Sequence, residues 1–285
     1  MDHRRGTLLA FVGVVVLSFD ALLVRLADAD AAQVMFWRGL FIALSVTFAL
    51  RTLRGRWSWS VIRAGGPLAL CLVATMGGNQ VLFVAAILHT KVANVVVILT
   101  VAPLFAAAFS GLFLREWIGR RTWIAIGLSI IGIAIVFGGS LGGGHWLGDA
   151  LALLAALVVG ANFTLLRYLP GINRLALVGG GGLVLCLVSL PFADPFTVSL
   201  PGFTVLAVMG LLQMPLALVM MTEATRYLPS AEVTLFFALE AVFGTFWVWA
   251  LLAEEPPGAT LVGGTLVLAT LVAHSWAGLR GRPGA

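Results

Sequence analysis

The chain has 285 residues, of which 61% are hydrophobic and only 10% are charged. Because soluble domains carry roughly 25% charged residues, this composition excludes an ordinary soluble protein and predicts an integral membrane protein. The net charge of +5 at pH 7 would point to nucleic acid in a soluble protein. In a membrane protein the location of the basic residues matters more than their sum, so we expect no nucleic-acid partner.

The first apolar run, from Gly6 to Leu26, follows two arginines, as the apolar core of a signal peptide does. It is longer than a typical signal-peptide core, and a similar segment occurs in the second half of the chain. We therefore interpret it as the first transmembrane helix.

Nine further apolar runs follow in chain order, each long enough to cross about 30 Å of hydrocarbon. With the first, they occupy residues 6–26, 32–50, 66–88, 92–114, 121–138, 147–168, 174–192, 202–225, 230–252 and 258–278. The sequence therefore predicts an all-α membrane protein with ten transmembrane helices and short loops. Pro103 and Pro215 should kink the fourth and eighth helices, because proline removes a backbone hydrogen bond.

Residues 86–119 recur as residues 224–257, aligned without a gap. Although only six of the 34 positions are identical, both copies have a polar joint, an apolar run and a closing glutamate, Glu116 or Glu254. A second alignment places Gly6–Leu26 on Gly148–Tyr168, with Asp20 opposite Asn162. We infer two homologous halves, residues 1–140 and 141–285.

Five spans per half make the second half enter the membrane from the opposite face, so the two repeats are inverted. Inverted repeats are typical of transporters that expose a midplane site to each side in turn. A duplicated structural membrane protein without transport is the alternative.

The basic residues predict the orientation, because cytoplasmic loops carry the excess of lysine and arginine. With both termini in the cytoplasm, the outer side receives only Arg25 and Lys91, and Arg38 lies within a helix. The inner side receives Arg4, Arg5, Arg51, Arg54, Arg56, Arg63, Arg115, Arg120, Arg121, Arg167, Arg174, Arg226, Arg280 and Arg282. We expect a multi-pass protein of the inner membrane.

Three ionisable side chains lie at depth in predicted helices, where each is costly and needs an explanation. Asp20 and Arg38 lie at equal depth on neighbouring helices, so we expect an ion pair that acts either as a structural lock or as part of an outer gate. Glu240 lies deepest, on an aromatic stripe formed by Phe236, Phe243 and Trp247. It could hold a substrate ammonium or a proton, or simply hydrogen-bond to a neighbouring helix.

Neutral polar side chains are concentrated on the third, fourth, sixth and eighth predicted helices, where each alone could be a packing hydrogen bond. Asn79, Gln80 and Gln213 are candidate binding residues, with the ring of Phe83 one turn away; His89, Asn94 and Asn162 are candidate gating residues.

No catalytic or metal-binding constellation is present in the sequence. The four histidines are scattered, the two cysteines lie in apolar runs without ligand spacing, and Gly142–Gly144 is a linker. We therefore expect no enzyme activity, no cofactor and no metal.

Three segments resemble the drug/metabolite transporter superfamily, in particular its EamA family: VANVVVILTVAPLFAAAFSGLFLRE (92–116), GDALALLAALVVGANF (148–163) and LEAVFGTFWVWALLAEE (239–255). The chain departs from the family at Ala241, where proline is usual, and at Arg115 and Ala253, where glycine is usual. The resemblance implies ten helices in two inverted five-helix repeats, a central cavity lined by helices such as the third, fourth, eighth and ninth, and export of small metabolites. Within the family, the chain is similar in character to the YddG-like exporters of aromatic and other amino acids.

We therefore expect an alternating-access exporter of small amphiphilic metabolites, most of all amino acids including aromatic ones. The substrate would be held by Asn79, Gln80, Phe83, Gln213, Phe236, Glu240, Phe243 and Trp247. A multidrug exporter of lipophilic cations is the nearest alternative, and a membrane enzyme or lipid-handling scaffold is a more distant one. The expected partners are a small-molecule substrate and the lipid bilayer, with the protein acting as a monomer or a dimer.

Overall fold

The structure, a computed structural model, describes residues 2–54, 62–63, 65–113, 120–141, 145–169, 171–228, 233 and 236–280. Within these ranges the regular structure is exclusively helical. The α-helices are α1 (Asp2–Leu17), α2 (Asp20–Leu26), α3 (Ala31–Arg54), α4 (Gly66–His89), α5 (Val92–Leu99), α6 (Ala102–Phe113), α7 (Arg120–Leu141), α8 (Trp146–Tyr168), α9 (Arg174–Ser189), α10 (Leu200–Val208), α11 (Met214–Ala224), α12 (Phe237–Leu252) and α13 (Gly258–Arg280). A 3-10 turn at Pro195–Thr197 and a π-helical segment at Met209–Gln213 complete them.

Six helical stretches are long and apolar enough to cross a membrane: Arg4–Leu26, Ala31–Thr52, Gly66–His89, Val92–Phe113, Trp146–Tyr168 and Leu200–Ala224. Four shorter apolar helices lie at Gly127–Val136, Arg174–Ser189, Val242–Leu252 and Gly258–Thr270. Each of the ten stretches overlaps one of the ten predicted spans, and the ends of the six long stretches differ from the predicted ends by two residues at most. Since four of them are shorter than a full crossing, the total of ten membrane helices stays a prediction.

The outer surface is apolar, as expected for a protein surrounded by lipid. Phe48, Leu112, Phe113 and Leu212 each expose two thirds or more of their surface. So many large apolar side chains on the outside would cause aggregation in water, whereas hydrocarbon solvates them.

The two long helices that contain a mid-span proline are irregular just before it. α5 ends at Leu99 and α6 begins at Ala102, so the helix is interrupted where Pro103 cannot donate to the carbonyl four residues earlier. Pro215 follows the π-helical segment and has no N–H to donate to the Leu211 carbonyl, which accepts a hydrogen bond from Ser45 Oγ at 2.7 Å.

The first span also breaks, although its sequence predicts a continuous helix. α1 ends at Leu17 and α2 begins at Asp20, with a turn at Ser18 and Phe19 between them. No proline causes this break. Ser18 Oγ bonds back to the Val15 carbonyl at 2.7 Å, which is the kind of local side-chain bond that bends membrane helices.

Close helix crossings use glycine on both sides. A Cβ built on Gly39 of α3 would lie 2.5 Å from the backbone nitrogen of Cys186 on α9, and one on Gly182 of α9 would lie 2.6 Å from Ile42. Where α7 crosses α13, a Cβ on Gly263 would lie 2.4 Å from the Gly132 carbonyl oxygen. Small residues thus let the helices approach to backbone contact, as they commonly do in membranes.

Three sequence expectations fall on residues outside the described ranges. They are the closing glutamate of the first repeat copy (Glu116) with its neighbour Arg115, the linker glycines 142–144, and the beginning of the ninth predicted span.

Adjacent glycines on α4 provide a matched test of this packing. A Cβ on Gly77 would lie 2.6 Å from Val184 Cβ and 2.7 Å from the Gly181 carbonyl oxygen, whereas one on Gly78 meets nothing within 4 Å. We expect Gly77→Ala to lower the free energy of unfolding by about 1–3 kcal/mol through overpacking. Gly78→Ala should leave it unchanged or raise it by up to about 1 kcal/mol, since alanine favours helix. Thermal unfolding in detergent, followed by tryptophan fluorescence, distinguishes the two; equal losses would contradict the prediction.

Candidate functional site

An internal cavity lies between helices of both predicted halves. Its walls are largely apolar, and four polar or charged side chains from the first half and three from the second interrupt them. The lining residues are Leu17, Asp20, Arg38, Met76, Asn79, Gln80, Phe83, Leu99, Val159, Asn162, Phe163, Leu166, Val178, Gly181, Met214, Leu218, Met221, Thr222 and Glu240. An apolar pocket with a few convergent polar groups has the usual composition of a small-molecule site.

Asp20 and Arg38 form an ion pair at the edge of this cavity. Arg38 Nη1 lies 3.1 Å from Asp20 Oδ2, and both side chains are about 1% exposed. Arg38 Nη2 donates a hydrogen bond to Gln80 Oε1 at 2.7 Å, and its Cζ lies 6.0 Å from the centroid of the Phe83 ring. The guanidinium therefore joins α2, α3 and α4, and two of its three nitrogens are already engaged.

Glu240 contributes a second carboxylate to the same cavity. It is only 4% exposed, and its Oε2 makes no hydrogen bond within the described part of the chain. Asn79 Oδ1 is likewise buried and has no donor there. Two buried acceptors without donors are costly, so they are the natural contact points for a ligand that carries N–H or O–H groups.

Four of the predicted binding residues do not line the cavity. Gln213 Nε2 donates to the Val16 carbonyl at 3.0 Å, which ties the π-helical segment to α1. Trp247 stacks on Phe19 with ring centroids 4.8 Å apart, and its Nε1 donates to Ser18 Oγ at 3.2 Å. Phe236 and Phe243 are half-buried and are also absent from the lining. The aromatic stripe around Glu240 thus packs between helices, and the cavity-facing ring next to the charges is Phe83.

Asn162, predicted as a gating residue, lies in the cavity wall. Its Oδ1 accepts a hydrogen bond from Thr75 Oγ1 of α4 at 2.6 Å. This bond joins α4 to α8 across the two predicted halves.

Asn94 belongs to a buried polar cluster at the start of α5. Its Nδ2 donates to both oxygens of Asp149, at 3.1 and 3.3 Å, and its Oδ1 accepts from Thr260 Oγ1. Thr90 Oγ1 donates to Asp149 Oδ1 at 2.7 Å. The cluster connects α4 and α5 to α8 and α13. Asp149 was not singled out in the sequence, where it reads as an acid in the first turn of a helix.

A second link beside this cluster joins the end of α12 to the start of α5. Glu254 Oε2 lies 3.5 Å from Arg25 Nε, and Glu254 Oε1 accepts from the backbone N–H of Val92 at 3.2 Å. Arg25 Nη2 also donates to the Thr90 carbonyl at 3.1 Å. Ala253 ends α12 in the left-handed conformation, with φ of 53°, which glycine adopts more readily than alanine.

His89 and Arg174 behave differently from their sequence expectations. His89 is exposed, and its Nδ1 contacts the carbonyl of Ala85 in its own helix at 2.7 Å, so it faces away from the cavity. Arg174 reads as a loop charge, yet it is 2% exposed and donates to the Thr222 carbonyl at 2.8 Å and to Thr225 Oγ1 at 3.1 Å. It anchors α9 to α11 next to the cavity lining.

Taken together, the helical fold, the apolar exterior and the internal cavity with buried charges define a multi-pass membrane protein built to bind a small molecule. The model of the EamA-like transporter family matches residues 4–138 and 146–276. The chain belongs to this family, and it is therefore a membrane transporter.

Two curated relatives are exporters by name. The pseudopaline exporter CntI of Pseudomonas aeruginosa is 24% identical over 280 residues, covering 95% of this chain and 96% of its own. A probable terminal-alkyne amino-acid exporter of Streptantibioticus cattleyicolor is 29% identical over 213 residues, covering 71% and 70%. A solved crystal structure matches 98% of this chain and 99% of its own, with a TM-score of 0.68 and 17% identity, which supports the fold alone.

The ion pair at the cavity can be tested through stability. Arg38→Met leaves Asp20 buried without its cation, so we expect a loss of about 3–5 kcal/mol in the free energy of unfolding. The double variant Asp20→Asn with Arg38→Met should recover most of that loss, because no unpaired charge remains. Thermal unfolding in detergent measures all three proteins.

The control for these variants is Arg226→Met. It removes the ion pair nearer the surface in which Arg226 Nη1 lies 2.9 Å from Glu223 Oε1. It should cost about 0–1 kcal/mol. If Arg38→Met were no worse than this control, the buried pair would not be a structural element.

Proposed function

We propose that the protein exports small amphiphilic metabolites, foremost amino acids including aromatic ones, by alternating access through the central cavity. The observation that carries this proposal is the composition of the cavity, in which polar and charged groups of both halves face an apolar wall. Such a site holds one end of an amphiphilic substrate by hydrogen bonds and the other by contact with apolar side chains.

The names of the relatives support the same substrate class. One relative is named for exporting pseudopaline and another for exporting a terminal-alkyne amino acid. Since the first of these aligns over nearly the full length of both chains, its transport direction is a reasonable guide for this chain.

The packing of the helices supports inverted repeats of residues 1–140 and 141–285. The second predicted span (α3) packs on the seventh (α9), and the fifth (α7) packs on the tenth (α13). The third span (α4) packs on the sixth (α8), and the first (α1) packs on part of the eighth (α11). When spans 1–5 are exchanged with spans 6–10, the second–seventh and fifth–tenth contacts map onto themselves, and the third–sixth contact maps onto the first–eighth contact. A two-fold axis in the membrane plane requires this relation. The family match also divides at residues 139–145, where the sequence places the junction.

In the proposed mechanism, Asn79, Gln80 and Glu240 hold the polar end of the substrate, and Phe83 contacts its apolar part. Helices broken near Pro103 and Pro215 let short segments move while the rest of each helix stays packed, as in other transporters with discontinuous helices. The Arg25 and Glu254 pair, with the Asn94 and Asp149 cluster, closes one end of the cavity and must open to release the substrate. We propose a carrier without cofactor or catalytic step.

One observation favours export of lipophilic cations as a second candidate. The described cavity lining contains two carboxylates, Asp20 and Glu240, but only one arginine. An apolar pocket with more carboxylates than cationic side chains favours a cationic ligand.

Uptake into sealed liposomes tests the proposed function. Purified protein is reconstituted into vesicles loaded with one unlabelled amino acid and offered labelled phenylalanine without a pH gradient. We expect accumulation above that of protein-free vesicles, reduced by competing amino acids. No flux, even under an imposed pH gradient, would contradict amino-acid export and favour the cation candidate.

The site residues are tested in the same vesicles. Each of Glu240→Ala and Asn79→Ala should raise the half-saturating phenylalanine concentration roughly ten- to a hundredfold, because each removes a buried acceptor for a charged donor. Glu223→Gln is the matched control, since Glu223 is a half-buried carboxylate outside the cavity lining that pairs with Arg226. Normal transport by both cavity variants would show that the site lies elsewhere.

The proposed orientation in the inner membrane places both termini in the cytoplasm. A fluorescent protein that folds only in the cytoplasm should fluoresce when fused to either end. A periplasm-dependent phosphatase fused at the same points should stay inactive. The opposite pattern at one terminus would mean an odd number of spans.

A further inference from the structure

We propose that the cavity selects its substrate by a protonated primary or secondary amine and requires no free carboxylate. The inference rests on the proposed function, since it concerns the substrate held in that same cavity. It extends the substrate class from amino acids to their amides and to amphiphilic amines.

The first argument is the balance of charge. Among the described residues that line the cavity, the charged side chains are Asp20, Glu240 and Arg38. Asp20 is neutralised by Arg38 at 3.1 Å. Glu240, which is 4% exposed, has no ion-pair partner among the described residues. A bound ammonium would supply the missing positive charge.

The second argument is the balance of hydrogen bonds. Glu240 Oε2 and Asn79 Oδ1 are buried acceptors that receive no donor within the described ranges. A primary ammonium offers three N–H donors and can bond to both acceptors. A quaternary ammonium carries the same charge but has no N–H group, so it would leave both acceptors unpaired.

The third argument concerns the arginine that a substrate carboxylate would need. Arg38 Nη1 is paired with Asp20 and Nη2 is bonded to Gln80 at 2.7 Å. Nε has no acceptor and Nη1 has no contact beyond that ion pair among the described residues, and both nitrogens are buried. To be bound by the terminal fork of the guanidinium, a carboxylate must displace Asp20 and leave that side chain as a buried unpaired charge, which is strongly unfavourable.

Apolar walls complete the proposed site. Phe83 and Phe163 provide rings, and Met214, Leu218 and Met221 provide flexible or branched aliphatic surface. Thioethers make favourable contacts with aromatic rings. We therefore expect the amine to be attached to an aromatic or aliphatic group of side-chain size.

Isothermal titration calorimetry of the purified full-length protein in detergent tests this inference. The probes share one ring and differ only in their charged groups: phenylalanine, phenylalaninamide, phenethylamine, 3-phenylpropionate and trimethylphenethylammonium. We expect phenylalaninamide and phenethylamine to bind at least as tightly as phenylalanine, whose carboxylate finds no available cation in the site. 3-Phenylpropionate and the quaternary amine should bind roughly ten- to a hundredfold more weakly, because each lacks the charge-assisted donors.

A variant connects this selectivity to Glu240. Glu240→Gln keeps the shape but removes the charge, so it should weaken the binding of phenethylamine roughly ten- to a hundredfold and leave 3-phenylpropionate unaffected. Glu223→Gln, outside the cavity lining, should bind every probe as the wild type does. The probe series on the wild type answers the question even if Glu240→Gln does not fold.

Two outcomes would overturn the inference while the proposed function stands. If phenylalanine binds but phenylalaninamide and phenethylamine do not, the carboxylate is required. If trimethylphenethylammonium binds as tightly as phenethylamine, N–H donation is not what the site recognises. Failure of the proposed function looks different, because the liposomes then show no phenylalanine flux.

Discussion

The structure depends on keeping one arginine, Arg38, charged inside a membrane protein. Its ion pair with Asp20 and its bond to Gln80 fix α2, α3 and α4 around the cavity. The next residue, Gly39, lies close to α9, and Gly210 of the π-helical segment lies against the Arg38 backbone, with its Cβ position 2.9 Å from the Arg38 carbonyl oxygen. Because isolated charges at this depth are costly, three helices have to meet around one side chain.

Irregular helices follow from the same constraint on polar groups. Backbone carbonyls in the membrane need donors, and the Leu211 carbonyl, to which Pro215 has no N–H to donate, accepts from the Ser45 hydroxyl. The break between α1 and α2 places Ser18 where it accepts from Trp247 of α12. At these two interruptions a side chain of one helix therefore bonds to another helix, so that movement of one helix alters the hydrogen bonds of its neighbour. This coupling is what an alternating-access carrier needs.

Much of the architecture could be predicted from the sequence, because hydropathy alone marks apolar runs and depth marks costly charges. Asp20, Arg38, Asn79, Gln80 and Glu240 were chosen by depth and line the cavity, whereas Gln213, chosen in the same way, does not. Phe83, chosen by its spacing from Asn79 and Gln80, and Asn162, chosen as the repeat counterpart of Asp20, also line it. Helical spacing was a poorer guide. Trp247 lies on the same predicted helix face as Glu240, yet it stacks on Phe19. The rotation of a helix about its axis decides which side chains face the cavity and which face a neighbouring helix. Asp149 and Arg174 were missed because a charge near a helix end reads as solvated, whereas tertiary contacts bury both.

The proposed inverted repeats bear on how the cavity would hold an asymmetric ligand. Two identical inverted copies would place equivalent groups on both walls, which suits a symmetric ligand only. In the alignment of 86–119 with 224–257, Glu240 corresponds to Ala102, and in the second alignment Asp20 corresponds to Asn162. The first half thus contributes an acid already paired with Arg38, and the second contributes an acid whose Oε2 has no partner among the described residues. Small residues pack the two proposed halves together, whereas the charges that face the cavity differ between them, so the proposed site gives the ammonium end of a substrate one preferred wall.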